Sequence, residues 1–176
     1  MTPGRRAVAA AVLAVLVVAL VGGGLLFLLR RDDETAAPVG PLASVLAGAR
    51  PASAPFAGLT EVRLGVGGDC RRVVVADSVD ERATGLMRRR DLGPYAGMLF
   101  VFDRPTTSFF TMSDVPVPLD IGWYDATGEP VDRTLMQPCP QRSPAECPVY
   151  QSKGPYRYAL ETLGGDLPSG AIGACP

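Results

Sequence analysis

Apolar and polar positions divide the chain into three zones. Residues 7–29, AVAAAVLAVLVVALVGGGLLFLL, hold no charged side chain, and Arg5-Arg6 and Arg30-Arg31 flank them. As a helix the stretch is about 34 Å long, enough for a hydrocarbon core of about 30 Å. A cleavable signal has a shorter apolar region of roughly 7–15 residues and a small-residue exit site. The closing arginines therefore favour an uncleaved signal anchor, with Thr35-Ala36-Ala37 the best exit site if cleavage occurs. The pattern predicts a cytoplasmic tail over residues 1–6 and a single transmembrane helix over 7–29. Residues 30–58 lack a sustained period and are rich in Ala, Pro, Gly and Ser, which predicts a flexible linker with room for a short helix around Leu42–Ala49.

Residues 59–176 read mainly as strands. EVRLGVG alternates, and RRVVVAD is apolar and β-branched. Ser78, with Glu81 three residues on, is a capping-box signature. Val79, Ala83, Leu86 and Met87 then fall on one helical face, and Arg88-Arg89-Arg90 suits a helix end. GMLFVF at 97–102 is a continuous apolar run, as in a strand buried on both faces. Asp103-Arg104-Pro105 predicts a turn and TSFFTM another strand. LDIGWYD places Leu119, Ile121 and Trp123 on one face and Asp120, Gly122 and Tyr124 on the other. Ala126-Thr127-Gly128 predicts a hairpin loop returning through EPVDRTLM. YRYALETL is the last clear strand. The expected fold is mainly β: a compact sandwich or barrel of short strands with one short helix, forming an extracytoplasmic domain over 59–176.

Composition narrows the chemistry. With 47% apolar and 20% charged residues over 176 positions, the chain holds one folded domain plus an extra segment. The formal charge of −1 supplies no general field for nucleic acid, so none is expected as a partner. Histidine is absent, which excludes Ser-His-Asp and Cys-His catalysis and His-containing zinc sites. Cys70, Cys139, Cys147 and Cys175 form no C-x-x-C pair. An even set downstream of an export signal predicts disulfides. The favoured pairing is Cys139–Cys147, across a proline-rich loop, and Cys70–Cys175, tying the domain ends. An oxidising compartment for the cysteines puts the C-terminal domain outside the cell membrane, since two arginines on each side of the apolar run leave the positive-inside rule nearly undecided.

VADSVDERATGLMRRRDL, GMLFVF, FFTM, VPLDIGWYDATGEPV, PCP with CPVY eight residues on, and YRYALE occur in that order. Together these blocks resemble domain of unknown function 192 over residues 71 to about 165. The resemblance implies a compact, mainly β, often exported domain and no agreed activity. This chain departs from the family's usual pattern after the F-x-M methionine. Ser113, Asp114 and Val115 stand where a basic residue, an asparagine and a threonine are usual, so an anion contact there is missing.

Asp120 is the first candidate, a carboxylate in an apolar strand that must meet a donor or solvent. It reads either as a polar group in a concave site or as an acceptor for loop N–H groups. Glu161 in YALETL is similar. Asp114, Asp120 and Glu161 would form a cation-binding or acid–base cluster if they converged. Met87 and Met112 could offer thioethers to copper, against methionine's ordinary use as core filler. Arg88-Arg89-Arg90 reads as a solvated helix end, and GVGGD at 65–69 as a turn. No metal and no cofactor is expected. The expected function is a non-catalytic ligand-binding or accessory module, held at the cell surface by the N-terminal helix. Its partner is an unidentified small molecule or a component of the cell envelope. The expected site is a groove beside Asp120, Phe110 and Met112. The rivals are a carboxylate-dependent hydrolase or lyase, with Asp120 or Glu161 as general base, and copper binding.

Overall fold

The protein is seen here as a computed structural model that describes residues 40–140 and 142–176. The predicted tail and membrane helix lie outside these residues. Among the described residues no helix is long and apolar enough to cross a membrane.

The two β-branched runs form β2 (Thr60–Val66) and β3 (Asp69–Ala76), an antiparallel hairpin. The capping box forms as predicted. Ser78 Oγ accepts from Glu81 N at 3.2 Å and Glu81 Oε2 accepts from Ser78 N at 3.0 Å, at the start of α2 (Val79–Thr84). The helix stops at Thr84, short of the predicted end at Arg88-Arg89-Arg90. Gly85 takes φ +47°, so the chain leaves the helical path there. Val79 consequently faces solvent, while Leu86 turns into the core.

β4 (Gly97–Thr106) lies parallel to β3, with α2 inside the crossover. Its side chains point alternately to two faces. Met98 and Phe100 enter one core and Leu99 and Val101 the other, as the apolar run requires. The predicted turn at Asp103-Arg104-Pro105 is instead an irregularity within the strand, across which the register with Tyr156–Leu163 shifts. Pro105, which has no N–H to donate, is tolerated at such an irregularity.

β6 (Leu119–Tyr124) and β7 (Pro130–Met136) make the predicted hairpin, with Gly128 at φ +84°. β9 (Tyr156–Leu163) inserts between β4 and β6, antiparallel to both. β1 (Arg50–Pro51) and β10 (Ile172–Gly173) add to β2. The strand order is β1-β2-β3-β4-β9-β6-β7 with β10 beside β2. A separate ribbon pairs β5 (Phe110–Thr111) with β8 (Val149–Tyr150).

The mainly β expectation holds. In place of two stacked sheets, one mixed sheet buries apolar residues on both faces. The C-terminal stretch links its two ends, since β10 pairs with β2 while Ile172 N donates to Gly128 O at 2.8 Å.

The flexible linker expected over 30–58 needs correction in its second half. From Gly40 the chain packs on the domain. Leu42 lies fully buried in one core, and α1 (Ala43–Ala47) follows it, with Val45 and Leu46 packed against the same core. Ala52 and Phe56 enter the other core. Isolated apolar residues in a Pro/Ala-rich stretch carry no period, yet each finds a sheet face to cover.

Both favoured disulfides form, Cys70–Cys175 and Cys139–Cys147, and no described cysteine is free.

Candidate functional site

The site is assembled on the central strand. Glu161 sits opposite Met98 of β4 and Ile121 of β6. Residues directly opposite in a ladder share a face, so its carboxyl points into the core that holds those two side chains. Gly97, opposite Thr162, lets the two backbones approach closely: a Cβ there would collide with the Glu161 carbonyl oxygen.

Above Glu161 lies a cavity of 300 Å³. Its walls are Phe100 and Phe102 from β4, Phe109 and Phe110 at β5, Leu86 and Met87 after α2, and Val115. Three chain segments are tied together around it. Arg88 N donates to Asp114 O at 2.7 Å, Asp114 N to Cys139 O at 3.0 Å, and Cys139 N to Val115 O at 3.1 Å. The disulfide strap that follows brings Pro144 to the rim. On the other flank Tyr156 Oη donates to Ser108 O at 2.7 Å, fixing the approach to Phe109.

Glu161 is 5% exposed, and no described residue hydrogen-bonds or pairs with its carboxyl. Removal from water disfavours the charged form, and burial pushes the carboxyl up to about 8. Among the described residues Arg82 is the other charged one in the wall. Its Nη1 donates to the carbonyls of Asp77 and of Val101, the latter at 2.8 Å, and its guanidinium lies 5.0 Å from the Phe102 ring centroid.

The predicted candidates separate. Glu161, Phe110 and Met87 line the cavity. Asp120 does not: it pairs with Thr162 while its neighbour Ile121 pairs with Glu161, so alternation sends the two carboxylates to opposite faces. Asp120, 8% exposed, accepts a 2.6 Å hydrogen bond from Gly165 N and so fastens the turn after β9. Asp114 acts through its backbone. Its carboxylate is 3.7 Å from Arg88 Nε, and both side chains reach solvent, where such a pair is worth little. Met112 is wholly enclosed, so Met87 and Met112 offer no accessible thioether pair. The three-carboxylate cluster is therefore corrected to three separate groups. Among the described residues no three His, Cys, Asp or Glu side chains gather as a metal site.

Sequence reasoning missed a second buried carboxylate. Glu61, 1% exposed, accepts from Arg72 Nη2 at 2.5 Å, Arg72 Nε at 2.9 Å, Tyr95 Oη at 2.6 Å and Arg50 Nε at 2.8 Å. The Arg72 hydrogen bonds, then that of Tyr95, hold it down at about 2. Its donors come from distant segments, so local pattern carries no sign of the cluster. A larger hollow of 540 Å³ lies on the other side of Met87. Two groups in its wall are engaged, Glu81 in the capping box and Arg89 over the Phe56 ring.

One mixed sheet with an aromatic cavity over an enclosed carboxyl defines a small, mainly β domain. The family model of DUF192, described as Uncharacterized ACR, matches residues 62–172, and the chain belongs to that family. No curated protein matches it. Among solved structures, a protein of unknown function from Novosphingobium aromaticivorans is similar, with 27% identity and a TM-score of 0.59 over 72% of this chain and 94% of that one. A Sinorhizobium meliloti protein, described provisionally as a transcription regulator, is similar at 25% identity and TM-score 0.52, over 64% of this chain and 90% of that one.

Proposed function

We propose that this DUF192 member is a membrane-anchored, extracytoplasmic binding module that holds a small ligand in the Glu161 cavity without transforming it. One observation carries the reading: an enclosed carboxyl without a partner among the described residues, at the base of a phenylalanine-lined cavity. Ligand pockets are largely apolar with a few placed polar groups, and their volumes begin at about 300 Å³. A buried polar group left without a hydrogen bond costs stability, and a ligand that supplies one removes that cost. Acid–base catalysis, in contrast, works through a positioned second group or activated water. Asp114 and Asp120 are not in the cavity wall.

A second reading has one specific support. A carboxyl titrating near neutral pH is suited to general acid–base work, so Glu161 could serve a hydrolase or lyase. Amide NMR of the full chain in detergent micelles, titrated with 2-phenylethanol, tests the binding reading. Saturable shifts at Phe100, Phe110 and Glu161 that vanish in Phe110→Arg support it. The absence of localised shifts sinks it.

The location has two supports, the lipophilic 7–29 segment and the disulfides, which persist in oxidising compartments. Maleimide added to cells without reductant should leave all four cysteines unlabelled before and after permeabilisation. Labelling that requires only permeabilisation would place the domain in the cytoplasm.

A further inference from the structure

We propose that the Glu161 cavity selects a small organic ammonium ion with an apolar tail, an alkyl- or arylalkylamine whose N–H groups seat on the Glu161 carboxylate. This rests on the binding reading above and names the ligand chemistry.

Three observations meet in the cavity. Glu161 is enclosed and has no described hydrogen-bond or ionic partner, so its acceptor capacity is unspent. Four phenyl rings, Phe100, Phe102, Phe109 and Phe110, line the same space. Ring faces attract cations through their quadrupole, more strongly when water is excluded. Arg82 already seats a cation on this aromatic wall, 5.0 Å from the Phe102 ring centroid. The 300 Å³ volume suits a ligand of benzylamine or phenethylamine size.

The charges facing Glu161 are few. From α2 comes Arg82, whose guanidinium is fixed on the Asp77 and Val101 carbonyls and feels the nearby Asp77 carboxyl. β4, β5 and the loops after α2 and β5 contribute Phe, Met, Leu, Val, Ser and Thr side chains, which do not titrate in this range. The Arg82 guanidinium is thus spent on backbone carbonyls and the Phe102 ring, none of the described residues pairs with the Glu161 carboxyl, and an ammonium ligand supplies that partner.

Proton bookkeeping makes the idea testable. Burial keeps the empty-site carboxyl largely protonated at neutral pH. Seating an ammonium ion ionises it: the Glu161 O–H bond breaks, the proton leaves to solvent, and the carboxylate accepts the ligand N–H. Affinity should therefore rise about tenfold per pH unit from pH 6 towards 8, with about one proton released per ligand. A neutral ligand of the same shape leaves the carboxyl protonated and shows neither effect.

Calorimetry on the full chain in detergent micelles, with phenethylammonium and 2-phenylethanol at pH 6, 7 and 8, would read this directly. Two buffers of different ionisation enthalpy give the proton count. The expected result is an amine that tightens with pH and releases a proton, beside an alcohol that does neither. Glu161→Gln should lose amine affinity at pH 8 by tenfold or more and keep the alcohol, which also shows that the variant folds. Equal, pH-independent binding of both probes overturns the cation inference and leaves the binding reading standing. Binding of neither to the wild-type chain sinks the binding reading itself.

Discussion

Two glutamates are buried in this domain under opposite conditions. Glu61 meets two arginines and a tyrosine hydroxyl and stays ionised, held at about 2. Glu161 meets no described partner and is pushed up to about 8. The consequences for stability have opposite signs. A depressed carboxyl contributes stability above its ordinary pKa and loses it as pH falls. The Glu61 contribution should therefore fade between about pH 4.5 and 2, and chemical denaturation across that range should show it. Tyr95→Phe should weaken the acid dependence, because one of the donors to Glu61 is lost; an unchanged acid limb would contradict the assignment. A raised carboxyl does the reverse: its stability is present below pH 4.5 and drains away as pH rises towards 8. The slope for one proton reaches about 1.4 kcal/mol per pH unit. Glu161→Gln should flatten that slope and unfold at higher denaturant concentration than wild type at pH 8. Parallel curves for the two proteins would mean that Glu161 is not protonated in the fold. Glu161 was legible in the sequence as a carboxylate within an apolar run. The fate of Asp120, in an equally apolar strand, was not. Register alone sent one carboxylate to the cavity and the other to a turn.

At the scale of elements, α2 places Arg82 at the rim, and two local devices define its ends. Ser78→Ala removes the cap and should cost about 1 kcal/mol, read as a lower denaturation midpoint with unchanged slope; no loss would mean the capping box is idle. Gly85 ends the helix at φ +47°, and an added Cβ would lie 3.3 Å from Phe100 Cζ. Gly85→Ala should cost about 1–3 kcal/mol of backbone strain and press on the aromatic wall, weakening any ligand in the cavity. Normal stability and normal binding in this variant would refute that account. The capping box was readable because its partners are three residues apart. The helix end was not, because the apolar spacing runs on through Leu86 and Met87 while one glycine breaks the path. Leu86 still reaches the core, by way of a loop.

The whole molecule is held by contacts between chain segments far apart in sequence. Cys70–Cys175 closes a separation of 105 residues, and the tail it anchors also joins β2 to the β6–β7 turn. Chain-entropy arithmetic puts the stabilisation by this bridge at roughly 4.8 kcal/mol before strain. Cys70→Ser with Cys175→Ser should therefore lower the unfolding free energy severalfold more than loss of one helix cap. Equal stability of the double variant would show that the tail is held by its hydrogen bonds alone.

The sequence by itself determined the longer strands β2, β3, β6, β7 and β9 and the core of β4, the helix start, the β6–β7 hairpin and a favoured pairing of the cysteines. Each follows from side-chain alternation, from neighbours within a few residues, or from a pairing count small enough to argue. Only the tertiary structure decided that the strands form one mixed sheet, that residues 40–58 pack on it, and that Glu161 lies beneath four phenylalanines with no partner among the described residues while Glu61 is ringed by donors. Those outcomes depend on register and crossover connection, and a one-residue slip in either would exchange the faces of every side chain on a strand.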